Sequence, residues 1–149
     1  MSRIAYVNGQ YVPHAAAAVH IEDRGYQFAD GVYEVCEVRG DRIVDQRRHL
    51  ERLMRSLSEL RIRPPMPLAA LSVVMHETVR RNRVRNGIVY IQITRGVAPR
   101  DQAFPAGETP PAVVVTSRRG DPERNDAAAA EGIAVVTVPE NRWPRVDIK

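Results

Sequence analysis

The chain ends in RWPRVDIK, and Lys149 is its only lysine; the other 21 of its 22 basic side chains (22 − 1) are arginines. The two residue types differ in one respect that matters chemically. A lysine amine can lose its proton and attack a carbonyl, or carry a proton to and from carbon, whereas a guanidinium stays protonated at any useful pH. The lone lysine is either what a bias toward arginine left behind or a reactive amine, and the tail by itself leaves both open. Two further stretches could do chemistry. TRGVAPRDQAFP, Thr94 to Pro105, carries Arg95 and Arg100 where a strand runs into an irregular loop. An arginine there can grip a carboxylate through two parallel N–H bonds, or form a loop salt bridge. EDRGYQFADGVYEV, from Glu22, gathers Tyr26, Phe28 and Tyr33 around Gly25 and Gly31. The glycines permit close backbone approach, with Asp23 and Asp30 placed to cap it, although aromatics packed beside a turn would look the same.

Other chemistries are excluded or left weak. The sequence has no Gly-x-Gly-x-x-Gly, no phosphate-binding Gly-Lys-Ser/Thr and no nucleophile elbow. His14, His20, His49 and His76 lack metal-ligand spacing, and His49 and His76 fall on helices in boundary or solvent-facing positions. One cysteine, Cys36, rules out an internal disulfide and a cysteine-rich metal site, which suits a reducing cytoplasm. No apolar run approaches the roughly 20 residues of a membrane helix, and MSRIAYVNGQ lacks a signal-peptide pattern, so a cytoplasmic protein without membrane contact is expected. The net charge of +4 and pI near 9.7 raise nucleic acid as a partner. RRNRVR, Arg80 to Arg85, is the densest basic stretch, yet none of the eight aromatics (1 Trp, 5 Tyr, 2 Phe) is interleaved with it. It reads as a solvated helix end that suits the helix dipole. A small basic module for an anionic partner, not nucleic acid in particular, is the reading from a different class, and steep salt dependence would mark it.

The elements that must position these residues follow from periodicity. IAYVNGQYV is a hairpin about Asn8-Gly9, and GVYEVCEV with RGDRIV is another about Gly40-Asp41. In the first strand of that second hairpin, Tyr33, Val35 and Glu37 share one face and Glu34, Cys36 and Val38 the other. RRHLERLMRSLSEL is a helix with Leu50, Leu53, Met54, Leu57 and Leu60 at helical spacing, ended by Pro64, Pro65 and Pro67. LAALSVVMHETVRRNRV is a second helix. GIVYIQITRGV, PAVVVTS and GIAVVTV are strands, with DPERNDAAAAEG between the last two a linker or short helix. Strands, then helices, then strands predict an α+β fold, a two-layer, largely antiparallel sheet with helices on one face. At 149 residues and 44% hydrophobic, one domain with a real core is expected.

In order and spacing, DRGYQFADGVYEV, HLERL, VYIQITRGVAPR and RWPRVDIK resemble the N-terminal half of D-amino-acid aminotransferases, in the class IV, fold-type IV group of pyridoxal-phosphate enzymes. The resemblance spans Ile4 to Lys149. It implies that Lys149 is the lysine that bonds to pyridoxal 5′-phosphate and moves the substrate proton, and that Arg52 binds the cofactor phosphate. Periodicity alone would leave Arg52 solvated. It implies that Tyr33, Val35, Tyr90 and Arg100 line the substrate side, with Gln102 where the family usually has histidine, a donor without charge. It further implies D-amino acid and 2-oxo acid substrates (pyruvate or 2-oxoglutarate) and a homodimer. Branched-chain L-aminotransferases and aminodeoxychorismate lyase share the fold and are the competing activities. In the family the rest of the cofactor site follows the lysine, so residues 1–149 are expected to be the N-terminal domain of a chain of roughly 280 residues, with a C-terminal cofactor-binding domain beyond.

Overall fold

The computed structural model describes residues 3–141 and 144–149, so Arg142 and Trp143 of the RWPRVDIK motif lie outside the described residues. Two hairpins begin the sheet. β1 (Ile4–Val7) and β2 (Gln10–Pro13) pair antiparallel with Val7 opposite Gln10, and the turn between them has φ of 46° at Asn8 and 97° at Gly9. β3 (Gly31–Arg39) and β4 (Arg42–Ile43) turn through Gly40 and Asp41 at 56° and 67°. Two consecutive positive φ values give the turn whose twist matches that of the strands, and glycine, asparagine and aspartate adopt them with least strain. β5 (Gly87–Thr94) and β6 (Ala112–Arg119) complete a six-stranded antiparallel sheet in the order β2-β1-β6-β5-β3-β4.

Two long helices cover one face. The inner residues of β3, β5 and β6 (Val32, Cys36, Val38, Val89, Ile91, Ile93, Val113, Val115) alternate along their strands. They pack on Leu53 and Leu57 of α2 (Gln46–Glu59) and on Leu71 and Met75 of α3 (Leu68–Arg81), which recur at helical spacing. Here α1 denotes the short helix Arg24–Phe28 and α4 the helix Pro122–Glu131. The α+β expectation holds. α3 stops at Arg81, short of Val84, because the chain takes a left-handed turn at Arg83 (φ 51°). Arg80 and Arg81 both pair with Glu77, and Arg85 pairs with Asp41, so acids already answer much of the basic run.

The sheet departs from expectation in two places. β5 ends at Thr94 rather than running to Val97, because Gly96 (φ 97°) turns the chain away and the Arg95 amide donates to the Asp30 carbonyl instead of a strand partner. GIAVVTV forms no strand. Ile133, Val135, Val136 and Val138 are exposed, from 76% at Val138 to 86% at Ile133. The β-branched residues supply propensity, but a strand needs a neighbour for its amides and carbonyls, and none lies beside this segment among the described residues.

Candidate active site

β4 covers only Val38 and Arg39, which leaves the outer edge of β3 open near its start. The last residues fill that place. The Tyr33 amide donates to the Lys149 carbonyl at 3.0 Å, and the Lys149 amide donates to Ser56 Oγ on α2 at 3.3 Å. Ile148 packs against the core, Arg55 of α2 bonds the Asp147 carboxylate at 2.9 Å, and Arg145 reaches Glu59 at 2.8 Å. Three side chains of one helix thus hold the tail against the sheet edge. The Lys149 side chain passes to the face away from the helices, where Nζ lies 4.9 Å from the Tyr33 ring centroid. Tyr33 stacks on Tyr90 (5.7 Å between centroids, 25° between planes), and Val35 stands opposite Tyr90 in the β3–β5 register. Burial, then the neighbouring Tyr33, pushes the Tyr90 phenol up from its ordinary value. Half-buried Lys149 borders a cavity of about 330 Å³ that Arg24, Phe28, Asp30, Gln102 and Phe104 also line.

On the helix side of the same strand lies a buried acid. Glu34 is 0% exposed, between core residues Val32 and Cys36. Its oxygens accept from Arg52 Nε and Nη2 (2.7 Å for Nη2), and Oε2 also lies 2.8 Å from His49 Nδ1. Burial works to raise the Glu34 carboxyl, but the bonds from Arg52 and His49 outweigh it and hold it below the usual range. Arg52 is consequently not the freely solvated side chain that periodicity suggests, although it stays 44% exposed, and His49 is tied to a carboxylate rather than merely at a boundary. The sequence did contain a signal for Glu34: an acid on the strand face shared with Cys36 and Val38 has to find cations.

The glycine-bearing turn answers its own question. A Cβ on Gly25 would collide with the Thr94 side chain, and one on Gly31 would stand 2.7 Å from the Ile93 carbonyl oxygen, so what the backbone approaches is the end of β5. Asp23 caps α1 through the Gly25 amide (2.8 Å) and accepts from Thr94 Oγ1 (2.9 Å). Asp30 takes Arg24 Nε at 2.8 Å and Arg95 Nε at 2.7 Å, with Arg24 only 3% and Arg95 12% exposed. Of the two loop arginines, Arg95 is therefore the salt bridge. It also fixes the loop: Arg24 Nη1 donates to the Asp101 carbonyl at 2.7 Å, and Arg95 lies over Phe104. Gln102, between these anchors, faces the Lys149 cavity. Arg100 is exposed, its guanidinium 5.3 Å from the centre of the Phe28 ring that lines the cavity.

The expected site residues thus fall into three groups. Lys149, Tyr33, Tyr90 and Val35 gather at the start of β3, Gln102 shares the cavity, and Arg100 flanks it across Phe28. Arg52 lies across the strand, on the buried acid. Asp30, Arg24, Arg95 and Glu34 carry no motif that marked them as partners.

Residues 31–149 match the model of the amino-transferase class IV family. The chain is 37% identical over 144 residues to a D-alanine aminotransferase of Staphylococcus haemolyticus, covering 97% of this chain and 50% of that one. It spans about half the length of the curated relatives it matches. Among solved structures, the branched-chain amino acid aminotransferase of Escherichia coli superposes with a TM-score of 0.73 at 18% identity, over 80% of this chain and 42% of that one. The branched-chain aminotransferase of Thermoproteus uzoniensis with norvaline gives 0.67 at 21%, over 80% and 41%. Another branched-chain aminotransferase, complexed with N-(5′-phosphopyridoxyl)-L-glutamate, gives 0.70 at 21%, over the same shares of 80% and 41%. At these identities all three speak to the fold.

Proposed function

This chain belongs to the amino-transferase class IV family, and from that premise we propose that its protein moves an amino group between a D-amino acid and a 2-oxo acid, pyruvate or 2-oxoglutarate, with pyridoxal 5′-phosphate as cofactor. The observation that carries the reading is the placement of the only lysine: Nζ of Lys149 beside the Tyr33 ring, at a cavity shared with Gln102. The 37% identity to a D-alanine aminotransferase supports the D-series over the branched-chain relatives, whose likeness is in fold.

The residues present fit the cofactor. The chain has one side-chain primary amine, half-buried at a cavity, and Arg52 spends Nε and Nη2 on Glu34 while Nη1 bonds no described residue, which leaves it a donor for a phosphate. Lys149 and Arg52 would hold it. When bound, the cofactor supplies the electron sink for charge released at the substrate Cα. Lys149 Nζ takes the Cα proton as general base and returns it as general acid. Arg100 grips the α-carboxylate, and Gln102 adds a neutral donor where the family's histidine would add a charged one. Tyr33, Val35 and Tyr90 form the wall that fixes which face of the substrate meets Lys149.

The protein is proposed to be a cytoplasmic homodimer. Cys36 is a buried free thiol, and among the described residues no helix is long and apolar enough to cross a membrane. Ile21, Tyr26 and Val97 are exposed on segments joined by the Asp23–Val97 bridge, apolar side chains available to a second copy. Half-reactions of the full-length protein with D- and L-alanine, D-glutamate and L-leucine, followed through the cofactor's absorbance, test the reading. Faster turnover of L-leucine than of any D-amino acid would move it to the branched-chain branch.

A further inference from the structure

We infer that Glu34 is a positioning residue for the cofactor phosphate: it fixes the Arg52 guanidinium, with His49 beside it, in the orientation that meets that anion. The inference rests on the assignment of Arg52 to the phosphate proposed above. Glu34 occupies an inner position of β3 where the alternation of Val32, Cys36 and Val38 calls for an apolar side chain. A fully buried carboxylate is unfavourable there unless paired, and an apolar residue of similar size would satisfy the core alone. The acid is instead matched oxygen by oxygen to two donors one turn apart on α2. The contact is a fork on a fork, which removes the rotational freedom of a long side chain and fixes the direction of its remaining nitrogen.

That remaining nitrogen, Nη1, bonds no described residue, and the side chain is 44% exposed while its anchor is 0% exposed. An arginine that neutralises a buried acid need give up water only along the edge that meets it. This one is anchored at its inner edge and open at its outer one. His49 repeats the arrangement: Nδ1 faces Glu34 and Nε2 bonds no described residue. Two effects of Glu34 on an incoming phosphate oppose each other. Its charge offsets that of Arg52 and weakens attraction, while its geometry holds the donor ready and spares the entropy of ordering it. Because the outer edge of Arg52, where the phosphate would approach, is in contact with solvent (44% exposed), the net charge met there is screened and the geometric effect is the larger.

Equilibrium binding of pyridoxal 5′-phosphate and of pyridoxal, which lacks the phosphate, to the full-length apoprotein separates these contributions. The comparison uses the natural sequence, Glu34→Gln, Arg52→Ala and the double variant. Glu34→Gln should weaken the phosphorylated ligand about tenfold (~1.4 kcal/mol) and leave pyridoxal within about twofold, with the double variant no weaker than Arg52→Ala alone. Glu34→Asp, which keeps the charge but withdraws it by one methylene, should give a smaller loss of the same selectivity and serves if the Gln variant does not fold. Equal loss of both ligands would make Glu34 a structural residue, and tighter binding of the phosphate would make it a neutraliser; either overturns the inference. If Arg52→Ala itself binds both ligands unchanged, the phosphate assignment of Arg52 has failed and the inference goes with it. A selective loss in Arg52→Ala with none in Glu34→Gln overturns the inference alone.

Discussion

The backbone of Lys149 and the backbone of Tyr33 are joined as strand neighbours are, by a 3.0 Å hydrogen bond from the Tyr33 amide to the Lys149 carbonyl, while the two side chains meet on the outer face with Nζ 4.9 Å from the ring centroid. The position of the amine is therefore set by main chain as much as by side chain. A reactive group held in this way keeps its place when neighbouring side chains change.

Lys149→Ala should abolish covalent capture of the cofactor without unfolding the sheet edge, because Ala keeps the amide and carbonyl that bond Ser56 and Tyr33. Borohydride reduction followed by mass analysis checks it. A cofactor mass still attached to the variant would assign the bond to some group other than this amine.

Replacing Arg100 by Ala should raise KM for D-amino acids by the equivalent of about 1.5–3 kcal/mol with a smaller change in kcat, as expected when a charged hydrogen bond to the substrate is lost. Unlike Arg95, it has no acid holding it among the described residues, only the Phe28 ring. Gln102→His should lower KM in the same assay, since Gln102 lines the cavity. An unchanged KM in both variants would remove the loop from substrate binding.

Much of this was legible in the sequence, and the reasons differ by residue. Asn8-Gly9 and Gly40-Asp41 fixed two turns because few residue pairs accept positive φ twice in succession. Alternation along 31–39 assigned the two faces of β3, and helical spacing assigned the core side of α2. The β-rich run at 133–138 misled, because it supplies strand propensity and is silent about a neighbour. Local pattern also missed the Glu34–Arg52 and Asp30–Arg95 pairs, whose partners are 18 and 65 residues apart. An acid among apolar strand positions says that a cation is needed. It does not say which of 21 arginines supplies it.

Cys36 should resist alkylation in the native protein. Its thiol is 0% exposed, and burial first, then the nearby Glu34 charge, pushes its pKa up to about 12, so almost no thiolate exists at about pH 8. Labelling by iodoacetamide should track unfolding along a urea gradient. Rapid labelling without urea would mean that α2 opens from β3.

Acid should destabilise the fold through two carboxylates held by guanidinium groups, Asp30 and Glu34. Burial favours the protonated form of both, yet the guanidinium bonds outweigh it, so Asp30 and Glu34 sit below their ordinary values of 3.8 and 4.5. The sign follows from proton binding: between the ordinary and the depressed values the unfolded chain holds more protons than the folded one. The stability contributed by these groups is therefore complete above about pH 5 and is lost as pH falls through their folded values. Asp30→Asn removes one contribution and leaves Arg24 and Arg95, 3% and 12% exposed, without their shared counter-charge. It should lower stability at pH 7 by about 3–5 kcal/mol, as removal of one partner from a buried pair does. Its stability should then fall less steeply than that of the natural protein between about pH 5 and pH 3. Urea midpoints measured across that range decide the matter: two parallel curves would show that Asp30 titrates alike in the folded and unfolded chains, and the arginine pair would then owe its place to packing.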